Sequence, residues 1–507
     1  MASAMHLPLL LLCLLVGHTH GSRPVMLRSV DDSGVSPSAT TCSSIPRGFS
    51  SGNKLPVVHR LSRCSPFAGA RTKQGGKPSP DEILHRDALR LRYLSDIHRS
   101  DAAEGPSSSS APAAAPGPST SPSAPASAAV SFPATQNVIS ALPGVFDYTV
   151  LAGYGTPAQP LPFYFNASGM SNLRCKPCFG GGGAACSGKA AFDPSLSSSF
   201  RTVPCGAPEC RVSACSSAGG TCDFTFQNAT YVFGNGTFVT DMLTLSPSAA
   251  TVEDFAVGCM QVDHLFDGAA YVAAGNIDLS RSRNSLVSRL LPTLPPDTAA
   301  FSYCLPADTD AHGFFAVAPA LSDYAGVRGV QYVPLVNNSR SPNFYFVDLV
   351  AVAVDGKDLP FPAKAPEFAL NGTMIDAQSW FTYLNPPLYA ALRDEFRRAM
   401  AQYPPAPAFN ELDTCYNFTG YSYIQLPDIT FKFGNGVAMD LDDRQFMYFF
   451  REHLSDDFPF GCLAFAAAQD ETFPWNVLGT QLQRTKEVVY DVRGERIGFV
   501  PSRCGLR

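Results

Sequence analysis

Fifteen cysteines constrain the folding of this 507-residue chain more than any other feature of its sequence. Twelve of them, an even number, lie from Cys175 onward. In a chain that enters an oxidising compartment, an even set of this kind predicts a disulfide framework. The alternative for Cys175 and Cys178 is a redox or zinc pair, but no second C-x-x-C accompanies them. We therefore expect disulfides and no metal or cofactor.

The first residues predict entry into the secretory pathway. Leu7 to Gly17 is an apolar run of signal-peptide length, and the small residues Thr19 and Gly21 follow it. The run is too short to cross a bilayer, which needs about 20 apolar residues. We expect a signal peptide over residues 1–21 and no membrane anchor; the alternative is an N-terminal anchor.

Charge and motifs exclude several classes of function. The formal net charge of −6 comes with 16% charged residues and no basic block, so we expect no nucleic-acid partner. The nine histidines show no H-E-x-x-H spacing, and neither a P-loop nor a dinucleotide fingerprint is present. A G-x-S-x-G pattern at Gly48–Gly52 lacks the strand–turn–helix context of a nucleophile elbow.

Residues 22–140 do not have the composition of a domain. Asp101 to Phe132 is almost entirely Ala, Ser, Pro and Gly, and such a segment cannot bury enough apolar surface to fold. Asp81 to Arg99 is charged and compatible with a helix. We interpret the whole as a propeptide and linker; the alternative is an arm that is never removed.

From about Gly144 the sequence predicts a mainly β architecture with few helices. Short apolar and aromatic runs recur between Gly, Pro and Asn clusters, and they include Phe146 to Leu151, Phe255 to Gly258, Tyr345 to Val354 and Val488 to Val492. Asp355-Gly356 is a hairpin turn signal.

One segment is predicted to be helical. Pro386 and Pro387 start it, and Leu388, Leu392 and Phe396 recur every fourth residue up to Met400.

A series of short sequence motifs in a fixed order carries a family resemblance. They are Tyr154–Pro157, Phe163–Gly169, Phe192–Phe200, Val203–Cys205, Val257–Cys259, Phe301–Pro306, Gly372–Asp376, Leu412–Tyr416, Cys462–Phe465, Val477–Gly479, Tyr490–Val492 and Ile497–Phe499, with His59-Arg60 and Ser65–Phe67 before them. Together they resemble the plant nepenthesin-like group of pepsin-type aspartic proteases (peptidase family A1).

The resemblance implies a bilobal pepsin-like fold, all-β, with two β-barrel-like lobes around a central cleft and a few short helices. The N-terminal lobe would span residues 141–340 and the C-terminal lobe residues 341–507. The predicted signal peptide favours a destination outside the cell, in the apoplast, or in the vacuole through the secretory pathway. The implied disulfides are Cys175–Cys178, Cys186–Cys259, Cys205–Cys222, Cys210–Cys215, Cys304–Cys504 and Cys415–Cys462.

The family mechanism needs two aspartates, one ionised and one protonated, each in a D-[ST]-G turn. Here the resemblance places Asp376 at the second aspartate, followed by Ala377-Gln378 where the hydroxyl and Gly are expected. The first aspartate position is Asn166, in the turn Asn166–Gly169, and no Asp lies between Asp147 and Asp193.

Two supporting elements differ from the family pattern as well. The flap tyrosine position is Asn228, and the first lobe's apolar-apolar-Gly segment falls at Asn276–Asp278. The second lobe keeps its copy at Val477–Gly479.

Six asparagines begin N-x-[ST] triplets and are glycosylation candidates: Asn166, Asn228, Asn235, Asn337, Asn371 and Asn417. A glycan at Asn166 or Asn228 would block the cleft; the alternative is that Asn166 faces inward and is never modified.

Three functions remain open. The first is a secreted, catalytically inactive binding or inhibitor-like protein, a monomer whose ligand is a peptide, a glycan or a secreted enzyme. The second is an active aspartic endopeptidase that uses Asp376 with a non-standard partner. The third is a storage or structural glycoprotein.

Overall fold

The computed structural model describes residues 24–26, 54–59, 62, 80–103, 148–167, 169–177, 190–210, 220–227, 232–246, 250–263, 273–306, 312–339, 341–360, 372–450, 460–468 and 475–501. Within these ranges no helix is both long enough and apolar enough to cross a membrane. The boundaries predicted for the signal peptide, the propeptide and the two lobes stay predictions.

Three elements precede the two lobes. Strand β1 is Pro24–Met26, strand β2 is Lys54–His59, and helix α1 is Pro80–Ala103. All three fall in the segment interpreted from sequence as propeptide and linker. β1 pairs with a strand of the second lobe, at Tyr423–Gln425, and β2 lies inside the central sheet.

The first lobe is built mostly from antiparallel strands, and its two longest strands form the hairpin β8–β9. Its strands are β3 (Tyr148–Tyr154), β4 (Gln159–Asn166), β5 (Asn172–Arg174), β6 (Arg201–Thr202), β7 (Asp223–Gln227), β8 (Val232–Ser246), β9 (Ala250–Asp263), β10 (Gly275–Asp278), β11 (Ala300–Cys304), β12 (His312–Val317) and β13 (Gln331–Val336). Helix α2 (Leu286–Leu290) begins at Ser285, whose hydroxyl caps it.

The second lobe contains sixteen described strands and three helices. The strands are β14 (Phe346–Val347), β15 (Leu349–Val354), β16 (Lys357–Asp358), β17 (Thr373–Ile375), β18 (Thr382–Leu384), β19 (Pro405–Ala406), β20 (Cys415–Asn417), β21 (Tyr423–Gln425), β22 (Ile429–Phe433), β23 (Ala438–Asp440), β24 (Met447–Phe450), β25 (Phe460–Leu463), β26 (Phe465–Ala467), β27 (Asn476–Leu478), β28 (Lys486–Asp491) and β29 (Arg496–Pro501). The helices are α3 (Pro386–Ala399), α4 (Asp443–Phe446) and α5 (Thr480–Gln483).

A central sheet joins distant parts of the chain. Its strands pair in the order β3, β2, β12, β11, β28, β29 and β13, all antiparallel. β2 therefore has neighbours on both sides, with Val58 opposite both Thr149 and His312. Because both edges of β2 are paired, this part of the N-terminal segment is a structural member of the sheet.

Each lobe contains the same three-strand unit. In the first lobe β10 runs parallel to β4 and antiparallel to β5. In the second lobe β27 runs parallel to β17 and antiparallel to β18. The repeat relates Asn166, at the end of β4, to the residue that follows Ile375 at the end of β17, which is Asp376.

The predicted helix and turn are confirmed. α3 buries Leu388, Leu392 and Phe396, the face that the fourth-residue spacing predicts. Asp355 and Gly356 both have positive φ, 48° and 75°, and they connect β15 to β16 in a two-residue hairpin. The predicted all-β, bilobal class is also confirmed.

The disulfides differ from those that the resemblance implied. Cys175 bonds Cys259, across a Cα–Cα distance of 5.5 Å, so the pairs Cys175–Cys178 and Cys186–Cys259 are wrong. The reason lies in the sheet: β5 runs parallel to β9 with Leu173 opposite Cys259, which brings Cys175 beside that strand.

A second correction concerns the cysteines around β7. Cys210 bonds Cys222 across a Cα–Cα distance of 5.7 Å, so Cys205–Cys222 and Cys210–Cys215 are wrong. Cys222 directly precedes β7, and Cys210 reaches it within the disulfide range. The predicted pair Cys415–Cys462 is present, on the paired strands β20 and β25. Cys205 and Cys304 are also disulfide-bonded, and Cys178, Cys186, Cys215 and Cys504 lie outside the described residues.

Candidate active site

The second-lobe turn follows β17 and presents Asp376. The N–H of Asp376 donates to the carbonyl oxygen of Leu478 at 3.1 Å, which ties the turn to β27. Gly479 follows β27, and a Cβ there would lie 2.1 Å from the carbonyl oxygen of Phe381. The close approach of the two backbones therefore requires glycine at 479.

Four donor contacts hold the buried Asp376 carboxylate. Arg90 of α1 donates from Nη2 to Oδ1 at 2.9 Å and from Nε to Oδ2 at 3.1 Å. Ser379 donates to Oδ2 from its N–H at 3.0 Å and from its hydroxyl at 2.8 Å. Burial alone would raise the pKa of Asp376, but the Arg90 charge and these hydrogen bonds hold it below its usual value.

The first-lobe turn has an amide in the equivalent place. Asn166 lies opposite Asp278 in the parallel register of β4 and β10. In the second lobe, Asp376 and Gly479 directly follow the paired residues Ile375 and Leu478. The side chain of Asn166 is fully buried, and its Oδ1 accepts from Asn276 Nδ2 at 3.1 Å. The alternative in which Asn166 faces inward is therefore the observed arrangement.

Asp278 stands where the second lobe has Gly479, and its carboxylate braces the first-lobe turn. Oδ1 accepts from the N–H of Gly169 at 3.1 Å and from the N–H of Ser280 at 2.9 Å. Oδ2 accepts from the hydroxyls of Ser280 at 2.8 Å and Ser282 at 2.7 Å. Burial nevertheless raises the pKa of Asp278. The two lobes thus close their equivalent turns by different means.

Helix α1 contacts the second-lobe turn through a second carboxylate, that of Asp87. It accepts from the N–H of Trp380 at 2.8 Å, the N–H of Phe381 at 2.9 Å and the hydroxyl of Tyr383 at 3.0 Å. Burial raises the pKa of Asp87 to about 7, against the lowering effect of these hydrogen bonds and of Arg86. The carboxylate of Asp87 and the guanidinium of Arg90, both on α1, therefore contact the second-lobe turn.

Apolar side chains of α1 continue this contact. Ile83, Leu84, Leu91 and Leu94 are buried in one cluster with residues of the second lobe. The lobe's contribution includes Phe344, Phe346, Met374, Trp380, Phe381, Tyr383, Leu412 and Trp475. Helix α1, which the sequence predicts to be part of a propeptide, is thus packed against the second lobe beside Asp376.

The docking of α1 is expected to weaken as pH rises. The pKa of Asp87 is about 7 when buried and 3.8 in its ordinary state, so protonation favours the docked helix. The stabilisation of the docked helix by protonated Asp87 is complete below about pH 4 and is lost as pH rises through about 7. Between these values the docking constant should fall by up to about tenfold per pH unit. Asp376, whose pKa is lowered, acts oppositely, and its contribution is lost as pH falls below its usual range. Amide hydrogen exchange of α1, corrected for the intrinsic rate, should show the strongest protection near pH 4–5.

An Asp87→Asn variant is the control for this pH dependence. An amide at 87 does not titrate, so the loss of protection between pH 5 and pH 8 should disappear. Equal protection of α1 in the unmodified chain at pH 5 and pH 8 would contradict the role given to Asp87.

The glycosylation candidates differ in accessibility. Asn235 and Asn337 are exposed, Asn417 is partly buried, and Asn166 is buried. Asn228, at the predicted flap position, and Asn371 lie outside the described residues. Among the described residues no group of three or more His, Cys, Asp or Glu side chains could hold a metal ion.

Sequence reasoning missed three residues of this site: Asp87, Arg90 and Asp278 as an acceptor. For Asp278 a signal existed, because serines follow it at positions two and four residues later, a spacing at which hydroxyls return to a carboxylate. For Asp87 and Arg90 the local sequence is an ordinary charged helix, and nothing in it indicates a contact with the second-lobe turn.

Comparisons with known proteins agree with this geometry. Residues 148–317 match the family model described as xylanase inhibitor N-terminal, and residues 344–501 match xylanase inhibitor C-terminal. An aspartyl protease family protein of Arabidopsis thaliana is 29% identical over 98% of this chain and 97% of its own length. Aspartic proteinase nepenthesin-1 of Nepenthes gracilis is 26% identical over 71% of this chain and 78% of its own.

A solved structure shares the fold. Basic 7S globulin from soybean superposes with a TM-score of 0.53 and 18% identity, covering 70% of this chain and 91% of the globulin. The matched halves, the relatives and the duplicated three-strand unit all lead to one assignment. This chain belongs to the plant nepenthesin-like group of the pepsin-type aspartic-protease family.

Proposed function

We propose that this chain is a secreted, catalytically inactive member of its family that acts as a binding or inhibitor-like protein. The observation that carries the proposal is the pair of registers that sets Asn166 in the place equivalent to Asp376. The family reaction needs two carboxylates that share a proton. In this chain the position of the first carboxylate is taken by the amide of Asn166.

An amide cannot replace the missing carboxylate. Asn neither takes a proton from water at accessible pH nor shares one with Asp376. Loss of general-base catalysis removes about 10²–10⁴-fold in rate. The effects on rate of residues that act as a unit are not additive. Losing the pair of carboxylates should therefore lower the rate by more than this factor.

The remaining carboxylate is also engaged. The bidentate contact with Arg90 neutralises Asp376 and occupies both of its oxygens. While α1 is docked, Asp376 has no free carboxylate oxygen that could take a proton from a water molecule. This arrangement favours a protein that uses the fold to bind.

The class of ligand is proposed from the comparisons. The family models that match are named for xylanase inhibitors, which supports a secreted enzyme as one kind of partner. A peptide or a glycan is the other candidate ligand, and the protein is proposed to act as a monomer.

Disulfides support a secretory destination. Such bonds persist in oxidising compartments, and this chain has Cys175–Cys259, Cys210–Cys222 and Cys415–Cys462. We propose the apoplast or the vacuole as the location. Asn235 and Asn337, which are exposed, are the described asparagines best placed to carry glycans.

A second candidate, an active endopeptidase, is favoured by one observation. Asp278 is a buried carboxyl group next to the first-lobe turn, and its pKa is raised. In that function Asp278 would be the partner of Asp376. Against this, its two oxygens are occupied by Gly169, Ser280 and Ser282.

Cleavage of a denatured protein substrate at about pH 3–5 tests the proposal. We expect the purified chain to cleave no faster than an Asp376→Ala variant, and pepstatin to change nothing. The same assay with Arg90→Gln removes the cation from Asp376, and we expect it to stay inactive because Asn166 is unchanged. Cleavage that disappears with Asp376→Ala would contradict the proposal, and a further requirement for Asp278, shown by Asp278→Asn, would identify the second candidate.

A further inference from the structure

The contacts of α1 define a surface of the second lobe, formed by Asp376, Trp380, Phe381 and the apolar side chains around them, which is called the cleft below. Asp87 and Arg90 are three residues apart and therefore lie on one face of the helix. One meets two backbone N–H groups, and the other meets the carboxylate of Asp376. The cleft thus presents donors and an acceptor at a separation that one helical turn matches.

Apolar side chains flank this polar pair on the same face. Ile83 and Leu84 lie one turn before Asp87, and Leu91 and Leu94 lie beside and one turn after Arg90. All four are at most 2% exposed. The pattern of α1 over residues 83–94 is apolar-apolar-x-x-Asp-x-x-Arg-apolar-x-x-apolar.

A helix satisfies this cleft better than an extended peptide. The backbone groups in the middle of a helix are bonded internally, so side chains must meet the polar groups of the cleft. Asp87 and Arg90 do so. Side chains of an extended peptide alternate across its backbone, so a carbonyl that accepts from Trp380 or Phe381 and a cation for Asp376 would have to come from separate parts of it. Without that cation Asp376 would stay buried and unpaired, which is strongly unfavourable.

We propose that this cleft binds, in trans, an amphipathic α-helix of a protein partner that carries an aspartate three residues before an arginine, and that α1 is the resident occupant which the partner helix displaces. The inference rests on the proposed binding function, since it names the ligand of that same cleft. The partner's helix makes the contacts of Asp87 and Arg90 with its own side chains.

The resident helix makes the partner compete. An occupant tethered to the same chain acts at a high effective concentration, commonly in the millimolar range. The apparent affinity for the partner is reduced by the fraction of molecules in which α1 is undocked. Weakening α1 should therefore strengthen binding in trans.

Fluorescence anisotropy with a labelled host peptide tests this directly. The probe is an alanine-rich helix, unrelated to this chain elsewhere, that carries the six residues of the pattern. The matched control exchanges its Asp and Arg, which preserves composition and net charge. The protein is the full chain with Asp87→Ala and Arg90→Gln, compared with the unmodified chain.

We expect saturable binding of the probe to the double variant and at least about tenfold weaker binding to the unmodified chain. The exchanged peptide should bind at least about 100-fold more weakly than the probe, because it sets carboxylate against carboxylate. Equal binding of the two peptides, or no binding to the double variant, would overturn the inference.

Two further measurements keep the outcomes distinct. Near-UV circular dichroism establishes that the double variant is folded, and Arg90→Gln alone serves in its place if it is not. Mass spectrometry of the peptide after incubation shows whether it stays intact. An intact, unbound peptide overturns the inference alone, whereas a cleaved peptide overturns the proposed function.

Discussion

Replacing Arg90 with methionine should lower the free energy of unfolding by about 3–5 kcal/mol. The change removes the cation from the buried Asp376 carboxylate and leaves an uncompensated charge between the helix and the second lobe. Burial then acts on Asp376 with less opposition, so its pKa should rise. Chemical denaturation followed by circular dichroism measures the stability.

Arg92 provides the matched control, since it lies on the same helix and is exposed. Arg92→Met should change the unfolding free energy by no more than about 0.5 kcal/mol. Combining Arg90→Met with Asp376→Leu should recover much of the loss, because a buried ion pair can be replaced by apolar residues at little cost. Equal stability of Arg90→Met and Arg92→Met would show that the pair does not hold the helix.

Replacing Asp278 with alanine should lower the unfolding free energy by about 2–4 kcal/mol. The change leaves the N–H groups of Gly169 and Ser280 and the hydroxyls of Ser280 and Ser282 without their acceptor. Unmade hydrogen bonds of buried donors carry most of this cost. Denaturation under the conditions used for Arg90→Met gives the comparison.

The exposed Asp323 is the control for this change. Asp323→Ala should be within about 0.5 kcal/mol of the unmodified chain. A loss for Asp278→Ala no larger than for Asp323→Ala would mean that the first-lobe turn closes without its carboxylate brace.

Much of the fold could be predicted from the sequence because its determinants are local. The fourth-residue spacing from Leu388 to Met400 and the Asp355-Gly356 turn each specify a structure within a few residues. The order of the family's sequence motifs along the chain was enough to locate Asp376 and the altered segment Asn276–Asp278. Those features do not depend on how distant segments meet.

The rest of the site depends on distant contacts. Arg90 and Asp376 are 286 residues apart in sequence, and no local pattern links them. The same reason explains the wrong disulfides: Cys175 and Cys259 meet because β5 lies against β9, a parallel pairing that spacing along the chain does not reveal.

The position of β2 in the central sheet has a consequence for how the chain folds during synthesis. β2 pairs with β12 in a register that sets Val58 opposite His312, so this contact closes a loop of about 250 residues. During translation the strand leaves the ribosome long before β12 exists, and it must wait without that partner. Contacts of such long range slow folding, because the entropy of closing the loop is lost before the pairing is gained. β2 can therefore take its place between β3 and β12 only after about 250 further residues have been made.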